Sequence, residues 1–464
     1  MSTHELPAVP LTSIPVTNCD DSGAGSLRDA VNNAVDGDTV DMTGLTCSAI
    51  TLTSGAISTG VANLTIQGPG VLALAIYGND TDRVFWHIGS GTLTINDVTV
   101  EHGKKYLNNG DLGNPGGGCV LTAGTLAFNH SWAKYCETGS NDTSVAVHGG
   151  AIYAASGIAM TYSFVTSNSA NSAAYFARGG GIYTPGAAII DHSIISGNTV
   201  TGVSGGGGGG MQIGSVRGTS GETGSIKYST ISSNMSSTWG GGVYLTGDVY
   251  IGNSTISGNQ ALAAGGVYAV HGSNVTGPAA IENSTISGNS ATANQRAGGL
   301  QSFGDDLQIR DSTIAFNTAI SGTTTKYGAG VRTYSANNIE LENTIIASNK
   351  TSLQGTDPEA DDLGGASGTT TSGAQNLIFF TDVLAPGGTI LLTDPVLRAL
   401  AANGGVTNTH MPNFGSPVID VGNNESGVTV DQRGSGFPRI LGPQADIGAV
   451  EFDLSDEIFA NGFD

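Results

Sequence analysis

Hydrophobic and polar positions alternate along the middle of this chain in a unit of nine residues. Its clearest copy reads IENSTISGN at residues 281–289, and two weaker copies occupy residues 95–103 and 127–135. Seven clear copies end at Asn168, Asn198, Asn234, Asn259, Asn289, Asn317 and Asn349. The clear copies follow one another at spacings of 25 to 36 residues, whereas the unit keeps its length. A constant unit with variable spacers predicts the stacked coils of a solenoid, with the insertions in loops.

A second phrase, two or three glycines and then an aliphatic residue, precedes copies of the unit. Its clearest occurrences end at Tyr153, Tyr183, Tyr244 and Tyr268. Each coil therefore consists of short segments rich in Ile, Val and Thr that are bounded by Gly and Asn, a pattern typical of β-strands. We expect an all-β protein with a parallel β-helix over residues 49–350.

One stretch near the N-terminus has helical rather than strand spacing. Ser26 is a suitable N-cap for it. The apolar residues at helical spacing are Leu27, Ala30, Val31 and Ala34. Because a terminal coil exposes its core and strand edges, we expect this helix to cover the first coil. Residues 1–48 are thus predicted to be an N-terminal segment with a helix cap, and residues 351–464 a C-terminal extension with a β cap.

The charge balance limits the partners of the chain. Its 464 residues include 72 glycines and only 12% charged residues, and the net charge is −22. A field of this sign repels nucleic acids and anionic lipid surfaces, so neither is an expected partner. No apolar run reaches the roughly 18 residues of a membrane-spanning helix. The first residues lack a leader pattern, and we expect a secreted protein in which Met1 replaces a removed signal peptide.

The cysteines give a prediction about covalent links. All four lie in the first third of the chain, and none forms a CxxC motif. Nearest-neighbour pairing predicts the disulfides Cys19–Cys47 and Cys119–Cys136, in keeping with an oxidising compartment. Two pairs of free, buried thiols are the alternative that the sequence leaves open.

Motifs near both ends of the chain resemble those of a known group. Residues 23–30 read GAGSLRDA and residues 37–40 read GDTV, while residues 415–422 read GSPVIDVG, residues 431–434 read DQRG and residues 446–451 read DIGAVE. The chain resembles secreted bacterial right-handed parallel β-helix proteins, with repeats of the polymorphic outer-membrane type and a C-terminal module of surface proteins. The resemblance implies a pectate-lyase-like solenoid and an extracellular location. It implies little about activity, because lyases, hydrolases and adhesins share such helices.

Stacking the nine-residue copies predicts which side chains are neighbours along the solenoid. The third position is Asn or Asp in most copies, and Asn129 holds it in the second copy. Three consecutive copies instead have Tyr162, His192 and Tyr228 at this position. We therefore expect these three side chains to lie in contact on adjacent coils.

This departure from the repeat suggests catalytic chemistry. β-Elimination from a uronic acid needs a base, an acid for the leaving oxygen and a cation beside the developing negative charge. His192 is the candidate base, and Tyr228 or Tyr162 is the candidate acid. Lys227, next to Tyr228 in the chain, is the candidate cation. The alternative is that the three ring residues only shape turns beneath the loop at residues 199–225.

The residue before each Gly-Gly phrase forms another predicted row. Three of its members are His148, Arg178 and Trp239. A Trp ring packs on sugar rings, and Arg pairs with carboxylate or sulfate groups. We expect these three residues to bind substrate, together with Asp191, which precedes His192. Ordinary solvated loop residues are the alternative.

Metal sites are not predicted. Asp305 and Asp306 with Asp311, and the acidic residues at 357–362, offer oxygen ligands for Ca²⁺. Neither set follows the spacing of a known Ca²⁺ loop, so no calcium site is assigned. Calcium is the only cofactor that the sequence leaves open.

The sequence leaves three functions open. A secreted polysaccharide lyase acting on an anionic glycan is the first, and a surface adhesin or autotransporter-like passenger without catalysis is the second. A glycoside hydrolase is the third, and it needs two carboxylates within about 10 Å. Glu282 and Glu342 are the candidates for that pair. In each case we expect a monomer whose partner is a polysaccharide or a cell-surface glycan.

Overall fold

The computed structural model describes residues 12–108, 116–203, 205–214, 224–270, 279–294, 296–304, 306–321, 325–334, 338–353 and 357–453. Within these ranges the chain forms a parallel β-solenoid of about 11 turns. The predicted all-β, parallel solenoid fold is therefore confirmed. Residues 1–11 and 454–464, the ends of two predicted units, lie outside the described residues. The division at residues 48 and 350 stays a prediction.

Four long sheets run along the solenoid, with 13, 13, 11 and 10 strands in the described part of the chain. Sheet 1 contains Ser13–Pro15, Thr39–Asp41, Leu64–Gln67, Thr92–Asn96, Thr125–Asn129, Gly157–Thr161, Ala187–Asp191, Gly224–Lys227, Val249–Gly252, Ala279–Glu282, Leu307–Arg310, Asn338–Glu342 and Thr370–Ser372. Sheet 2 contains Ala49–Thr51, Ala75–Tyr77, Thr99–Glu101, Trp132–Lys134, Phe164–Thr166, Ile194–Ser196, Thr230–Ser232, Thr255–Ser257, Thr285–Ser287, Thr313–Ala315, Ile345–Ala347, Leu377–Ile378 and Ile390–Leu391. Sheet 3 contains Ile57–Thr59, Phe85–His87, Val120–Thr122, Ile152–Ala154, Ile182–Thr184, Met211–Ile213, Val243–Thr246, Val267–Val270, Leu300–Phe303, Val331–Thr333 and Leu363–Gly364. Sheet 4 contains Lys104–Tyr106, Glu137–Ser140, Ser169–Ser172, Thr199–Thr201, Met235–Ser236, Gln260–Ala261, Ser290–Asn294, Thr318–Ile320, Lys350–Ser352 and Glu359–Ala360.

From Phe85 to Leu363 each coil passes through sheet 3, sheet 1, sheet 2 and sheet 4 before the chain returns to sheet 3, whereas the described residues before Lys104 form no strand of sheet 4. The return path carries a fifth row, the short strands Val147–His148 and Ala177–Arg178, which pair in parallel. Single bridges extend this row on both sides. Its members, which we name the return row, are Gly116, His148, Arg178, Gly207, Trp239 and Ala263.

The nine-residue unit supplies the interior of the solenoid. Its two aliphatic positions fall on sheets 1 and 2, as with Ile281 and Ile286, and both are buried in one continuous core. Its last residue, Asn, is buried as well. In successive coils the side-chain amide of each of these Asn residues donates to the side-chain oxygen of the next, from Asn168 to Asn349, at 2.9 to 3.0 Å. The repeat is therefore a register of core contacts and amide hydrogen bonds.

One α-helix, Leu27–Asn33, lies within the segment that the sequence predicts to be helical. Its N-cap is Ser26, whose hydroxyl accepts the Asp29 N–H at 3.1 Å. Buried Leu27, Ala30 and Val31 join the main core. No helix among the described residues is both long and apolar enough to cross a bilayer.

Both disulfides have the pairing expected from the cysteine positions. Cys19 is bonded to Cys47, and Cys119 to Cys136. The alternative of free thiols is thereby excluded in this structure. The second bond joins the start of a sheet 3 strand to the turn between sheets 2 and 4.

The C-terminal residues fold back along the side of the solenoid. Residues 397–452, which we name the C-terminal segment, contact the turns between sheets 1 and 2 of earlier coils. Val418 and Ile447 form a small core there with Ile345 and Ala347 of sheet 2. These contacts are lateral, and the expected role of the region as a cap stays a prediction.

Candidate functional site

Four aromatic rings form a continuous stack on the turn between sheets 1 and 2. We name the set His130, Tyr162, His192 and Tyr228 the ring ladder. Its members occupy the same position on consecutive coils, with φ between +45° and +48°. Successive ring centroids are 5.3, 4.7 and 4.8 Å apart, and the rings are stacked. The last two distances match the spacing of β-strands, so the stack follows from the coil repeat.

The structure corrects one position in the alignment of the repeats. Asn129 was assigned to the second copy at this column, but His130 occupies it. The sheet register pairs Phe128 with Ile95, so the second copy begins at residue 128 rather than 127. That copy has Phe128 where the others have Ile, Leu or Met, which conceals the shift in the sequence.

Charged groups lie beside the ring ladder. His192 Nδ1 is 2.8 Å from Asp191 Oδ2. Lys227 is the strand neighbour of Asp191 in sheet 1, and its Nζ lies over the Tyr250 ring, 5.1 Å from the centroid. The ammonium, the imidazole and the carboxylate thus share one strip of surface with the phenols of Tyr162 and Tyr228.

The ring ladder exposes ring edges rather than ring faces. Each inner ring is covered on both faces by its neighbours, while Tyr162 remains 51% exposed. With Nδ1 facing Asp191, Nε2 of His192 makes no hydrogen bond to the described residues. The surface can therefore exchange protons through Nε2 of His192, the imidazole of His130 and two phenol hydroxyls.

A second cluster lies where the return row faces the outer side of sheet 3. The sheet 3 strands alternate between core residues and outward ones, and the return row packs against the outward ones. We name as the aromatic corner the set Tyr153, Tyr183, Gln212, Tyr244 and Tyr268 of sheet 3 with His148, Arg178 and Trp239 of the return row. The five sheet residues are consecutive partners in the parallel register.

Close ring contacts join the two walls of the aromatic corner. His148 lies 4.5 Å from Tyr183 between ring centroids. Trp239 lies 5.7 Å from Tyr268 with the planes inclined by 12°. Opposite sides of the return-row strands differ in character, because Val147 and Ala177 face a separate small apolar core. That core supports the row, and the ring-bearing side faces sheet 3.

Several buried polar atoms in the aromatic corner lack hydrogen-bond partners among the described residues. They are Nδ1 and Nε2 of His148, Nε of Arg178, and Oε1 and Nε2 of Gln212. A buried polar group without a partner costs about 1–3 kcal/mol. Such groups are rare in folded proteins and mark positions that require an explanation. Their concentration in one corner is the strongest indication of a ligand site in the described chain.

Burial controls the ionisation of this corner. Desolvation, with the nearby Arg178 guanidinium, lowers the pKa of His148 to about 3, so its imidazole is neutral at physiological pH. Burial likewise raises the pKa values of Tyr153 and Tyr244, and that of Tyr268 to about 12. The phenols therefore act as neutral hydrogen-bonding groups.

The predicted site residues divide into two groups. Tyr162, His192, Tyr228, Lys227 and Asp191 lie together at the ring ladder. His148, Arg178 and Trp239 lie together in the aromatic corner. The strand Ala187–Asp191 separates the two groups, because sheet 3 precedes its first residue and the ladder follows its last. Asp191 is therefore not a neighbour of the other three predicted substrate-binding residues.

Sequence reasoning overlooked the sheet 3 wall of the aromatic corner. Tyr153, Tyr183, Tyr244 and Tyr268 end the Gly-Gly phrases and are visible in the sequence. Each follows a core aliphatic residue in a strand, so alternation alone directs it outward. That signal was available. Gln212, which breaks the tyrosine series, follows Gly209, Gly210 and the core residue Met211, so the same alternation directs it outward.

Among the described residues, three acidic side chains meet in the C-terminal segment. Carboxylate oxygens of Asp420, Asp446 and Glu451 lie within 4.8 Å of one another. The Asp446 carboxylate accepts the backbone N–H groups of Asp420 and Phe452. The Glu451 carboxylate accepts those of Leu441 and Asp446. This arrangement holds the segment together. Of the two acidic sets noted in the sequence for Ca²⁺, the first includes Asp305, which lies outside the described residues. In the second, the Asp362 carboxylate accepts a hydrogen bond from the Asn349 side-chain amide.

Comparisons with known proteins give little beyond the fold. No family model matches the chain, and no curated protein matches its sequence. The chain is similar to a solved structure described as "Crystal structure of pectate lyase Pel9A", with a TM-score of 0.41 and 14% identity. The match covers 92% of this chain and 91% of that one. At this level the likeness carries no argument about activity, and the fold assignment rests on the strand register described above.

Proposed function

We propose that this chain is an extracellular carbohydrate-active β-solenoid that binds a polysaccharide in the aromatic corner. The observation that carries the proposal is the row of rings with unpartnered buried polar atoms on consecutive coils. Sugars combine apolar faces with hydroxyl rims, and a wall of aromatic rings with a few polar groups matches both. The two disulfides favour an oxidising compartment, and the protein acts outside the cell.

The shape of the corner favours an extended ligand. Its sheet 3 wall runs over five consecutive coils, from Tyr153 to Tyr268. At about 4.8 Å per coil, this wall is roughly 20 Å long. A linear glycan lying along the solenoid axis meets the same pair of rows at each step.

Binding to immobilised and soluble polysaccharides tests this proposal. We expect Trp239→Ala to weaken binding about tenfold, which corresponds to about 1.4 kcal/mol. The matched control is Trp132→Ala, because Trp132 lies on sheet 2 over Phe164 and Lys134, outside the corner. Equal effects of the two substitutions, or no binding across a broad panel, would exclude the proposal.

A second function, cleavage of an anionic glycan by β-elimination, is favoured by the Asp191–His192 contact. In this reaction His192 Nε2 takes the proton from C5 of a uronic acid. The C4–O bond then breaks as a C4=C5 double bond forms, and a phenol of Tyr228 or Tyr162 gives its proton to the leaving oxygen. Lys227 stabilises the negative charge that develops on the carboxylate.

The unsaturated product of β-elimination absorbs ultraviolet light, which makes the lyase easy to test. Wild-type protein is incubated with uronic-acid polysaccharides, and His192→Ala and Tyr228→Phe are measured beside it. We expect His192→Ala to reduce the rate by about 100-fold or more. His130→Ala, which removes the end of the ring ladder away from Asp191, is the control and should keep activity. Unchanged rates in His192→Ala and Tyr228→Phe would refute catalysis at the ring ladder.

The remaining alternatives give different results in the same assays. Glycan binding without any product supports an adhesin or passenger. New reducing ends without the unsaturated product support a hydrolase. The latter is disfavoured by the surroundings of its candidate carboxylates: Arg310 lies between Glu282 and Glu342 in sheet 1, and Glu282 accepts the Tyr250 hydroxyl at 2.9 Å. Size-exclusion chromatography with light scattering tests the expected monomer.

A further inference from the structure

The return row carries no side chain beside Gln212. Gly207 occupies the row between Arg178 and Trp239 and bridges to both, so no side chain projects from the row there. Gln212 lies in the same coil on sheet 3, between Tyr183 and Tyr244 in the register. The amide of Gln212 and the guanidinium of Arg178 therefore flank a position where the row carries only backbone.

The unpartnered polar atoms around Gly207 include more hydrogen-bond donors than acceptors. Arg178 Nε and Gln212 Nε2 each carry N–H groups that meet no acceptor among the described residues. Gln212 has no exposed surface. His148, the strand neighbour of Arg178, presents two more unpartnered ring nitrogens. Because the imidazole is neutral, only one of these nitrogens donates, and Gln212 Oε1 is an acceptor. The three remaining donor groups suit an acceptor-rich ligand group.

The local charge is the opposite of that of the chain. The protein has 38 acidic and 16 basic residues, yet no carboxylate occurs among the described residues of the return row. The sheet 3 partners from Trp86 to Arg332 also lack one in the described chain. Arg178 therefore has no acidic partner within these two rows. A guanidinium whose Nε is buried without an acceptor among the described residues is stabilised by an anion.

We propose that Arg178, Gln212 and His148 form a subsite for an anionic group, a carboxylate or a sulfate ester, on one sugar of the bound glycan. The inference rests on the proposed binding of a glycan in the aromatic corner. The guanidinium and the amide donate to the oxygens of the anion, and the rings of Tyr183 and Tyr244 border the sugar that carries it. Oxygens of both groups accept planar, charge-assisted hydrogen bonds from Arg.

Affinities for matched ligands test the subsite. The probes are oligogalacturonates, the same oligomers with methyl-esterified carboxylates, and sulfated galactan oligomers, each titrated calorimetrically. We expect wild-type protein to bind at least one anionic probe about tenfold more tightly than the neutral ester. Preference for the uronate identifies a carboxylate subsite, and preference for the sulfated probe identifies a sulfate ester subsite.

Variants separate this subsite from the glycan site as a whole. Arg178→Gln should remove the preference for the anion while binding of the neutral ester persists, and Arg178→Lys should restore part of it. Arg310→Gln, on sheet 1, is the control and should leave the preference unchanged. Because the readout is a ratio measured on one folded variant, a general loss of stability does not imitate it.

Three results would overturn the inference, and they are distinct. Equal affinity of wild-type protein for all three probes, with binding still weakened by Trp239→Ala, would remove the anion subsite and keep the glycan site. Failure of Trp239→Ala to alter binding of any probe would remove the glycan site itself. An anion preference that survives Arg178→Gln would also refute the assignment.

Discussion

The turn between sheets 1 and 2 carries different side chains in two adjoining regions of the solenoid. Over four coils it holds the ring ladder. Over the next four coils it holds Asn253, Asn283, Asp311 and Asn343. The backbone is the same in both regions, with φ between +45° and +51° throughout. The left-handed conformation suits Asn and Asp and is uncommon for Tyr. Backbone geometry alone therefore does not explain the change.

The two regions differ in what covers them. The C-terminal segment lies on the second region, where Asn253 donates to the Asp431 carbonyl at 3.2 Å and Asn283 to the Val430 carbonyl at 3.0 Å. The segment reaches the ring ladder at its edge, where Gly434 lies beside Tyr228. Short polar side chains thus occupy the turn where another part of the chain must approach. Aromatic side chains occupy it where the surface is open.

The largest effect is expected from removing the buried ion pair of the covering segment. Arg433 and Asp431 are almost fully buried and 2.7 Å apart, and Arg433 also donates to the Glu451 carbonyl. Arg433→Met leaves the Asp431 carboxylate uncompensated, so we expect a loss of about 3–5 kcal/mol in the free energy of unfolding. Urea unfolding measures it. Arg310→Met breaks the half-exposed pair with Glu340 and should cost about 1 kcal/mol or less. Similar costs for both would contradict the proposed anchoring.

Exchanging the two kinds of side chain tests the comparison directly. Asn283→Tyr places a ring beneath the C-terminal segment and removes the bond to Val430. We expect a loss of about 3 kcal/mol from overpacking and the lost hydrogen bond together. Hydrogen exchange should become faster in residues 397–452 and stay unchanged around Tyr162. Unchanged exchange in the segment would show that the turn accepts a ring in either region.

The C-terminal segment that covers the second region should also respond to pH. Burial raises the pKa of Glu451 to about 7, and burial raises the pKa of Asp446 as well. A raised carboxyl pKa stabilises the protonated folded state, so this contribution is full below pH 4.5 and is lost as pH rises to about 7. We expect the free energy of unfolding to fall by about 2 kcal/mol over that window. Glu451→Gln should make the curve flatter; an identical curve for the variant would assign the dependence elsewhere.

The smallest effect is expected from the reverse exchange. Tyr228→Asn removes a partly exposed ring but places a residue that tolerates the left-handed turn. Loss of the ring contact destabilises the protein, and a residue better suited to the left-handed backbone stabilises it. The net change in the free energy of unfolding should therefore stay within about 1 kcal/mol. Thermal unfolding measures it. A loss as large as that of Asn283→Tyr would mean that the ring ladder is a structural element, and would weaken its assignment as a catalytic surface.

The periodic part of the sequence predicts contacts between adjacent coils. Tyr162, His192 and Tyr228 recur at one position of the unit, and coil stacking alone places them in contact. Where the unit is degraded the prediction is wrong by one residue, as at Asn129 and His130. The strand alternation in each Gly-Gly phrase also predicts that the side chains of Tyr153 and its partners in the register point away from the core. Contacts along the solenoid axis can be predicted from the repeat, because equivalent positions of successive copies lie next to each other on adjacent coils.

The sequence by itself predicted the stacked coils, the nearest-neighbour pairing of the cysteines and the neighbours within the columns of the clear copies. Only the tertiary structure decided which columns face each other and which are covered. The return row and sheet 3 form a corner because the chain folds back within each coil. The C-terminal segment covers Asn283 because residues some 150 positions apart meet there. Such contacts join parts of the chain that share no repeat, so no period in the sequence records them.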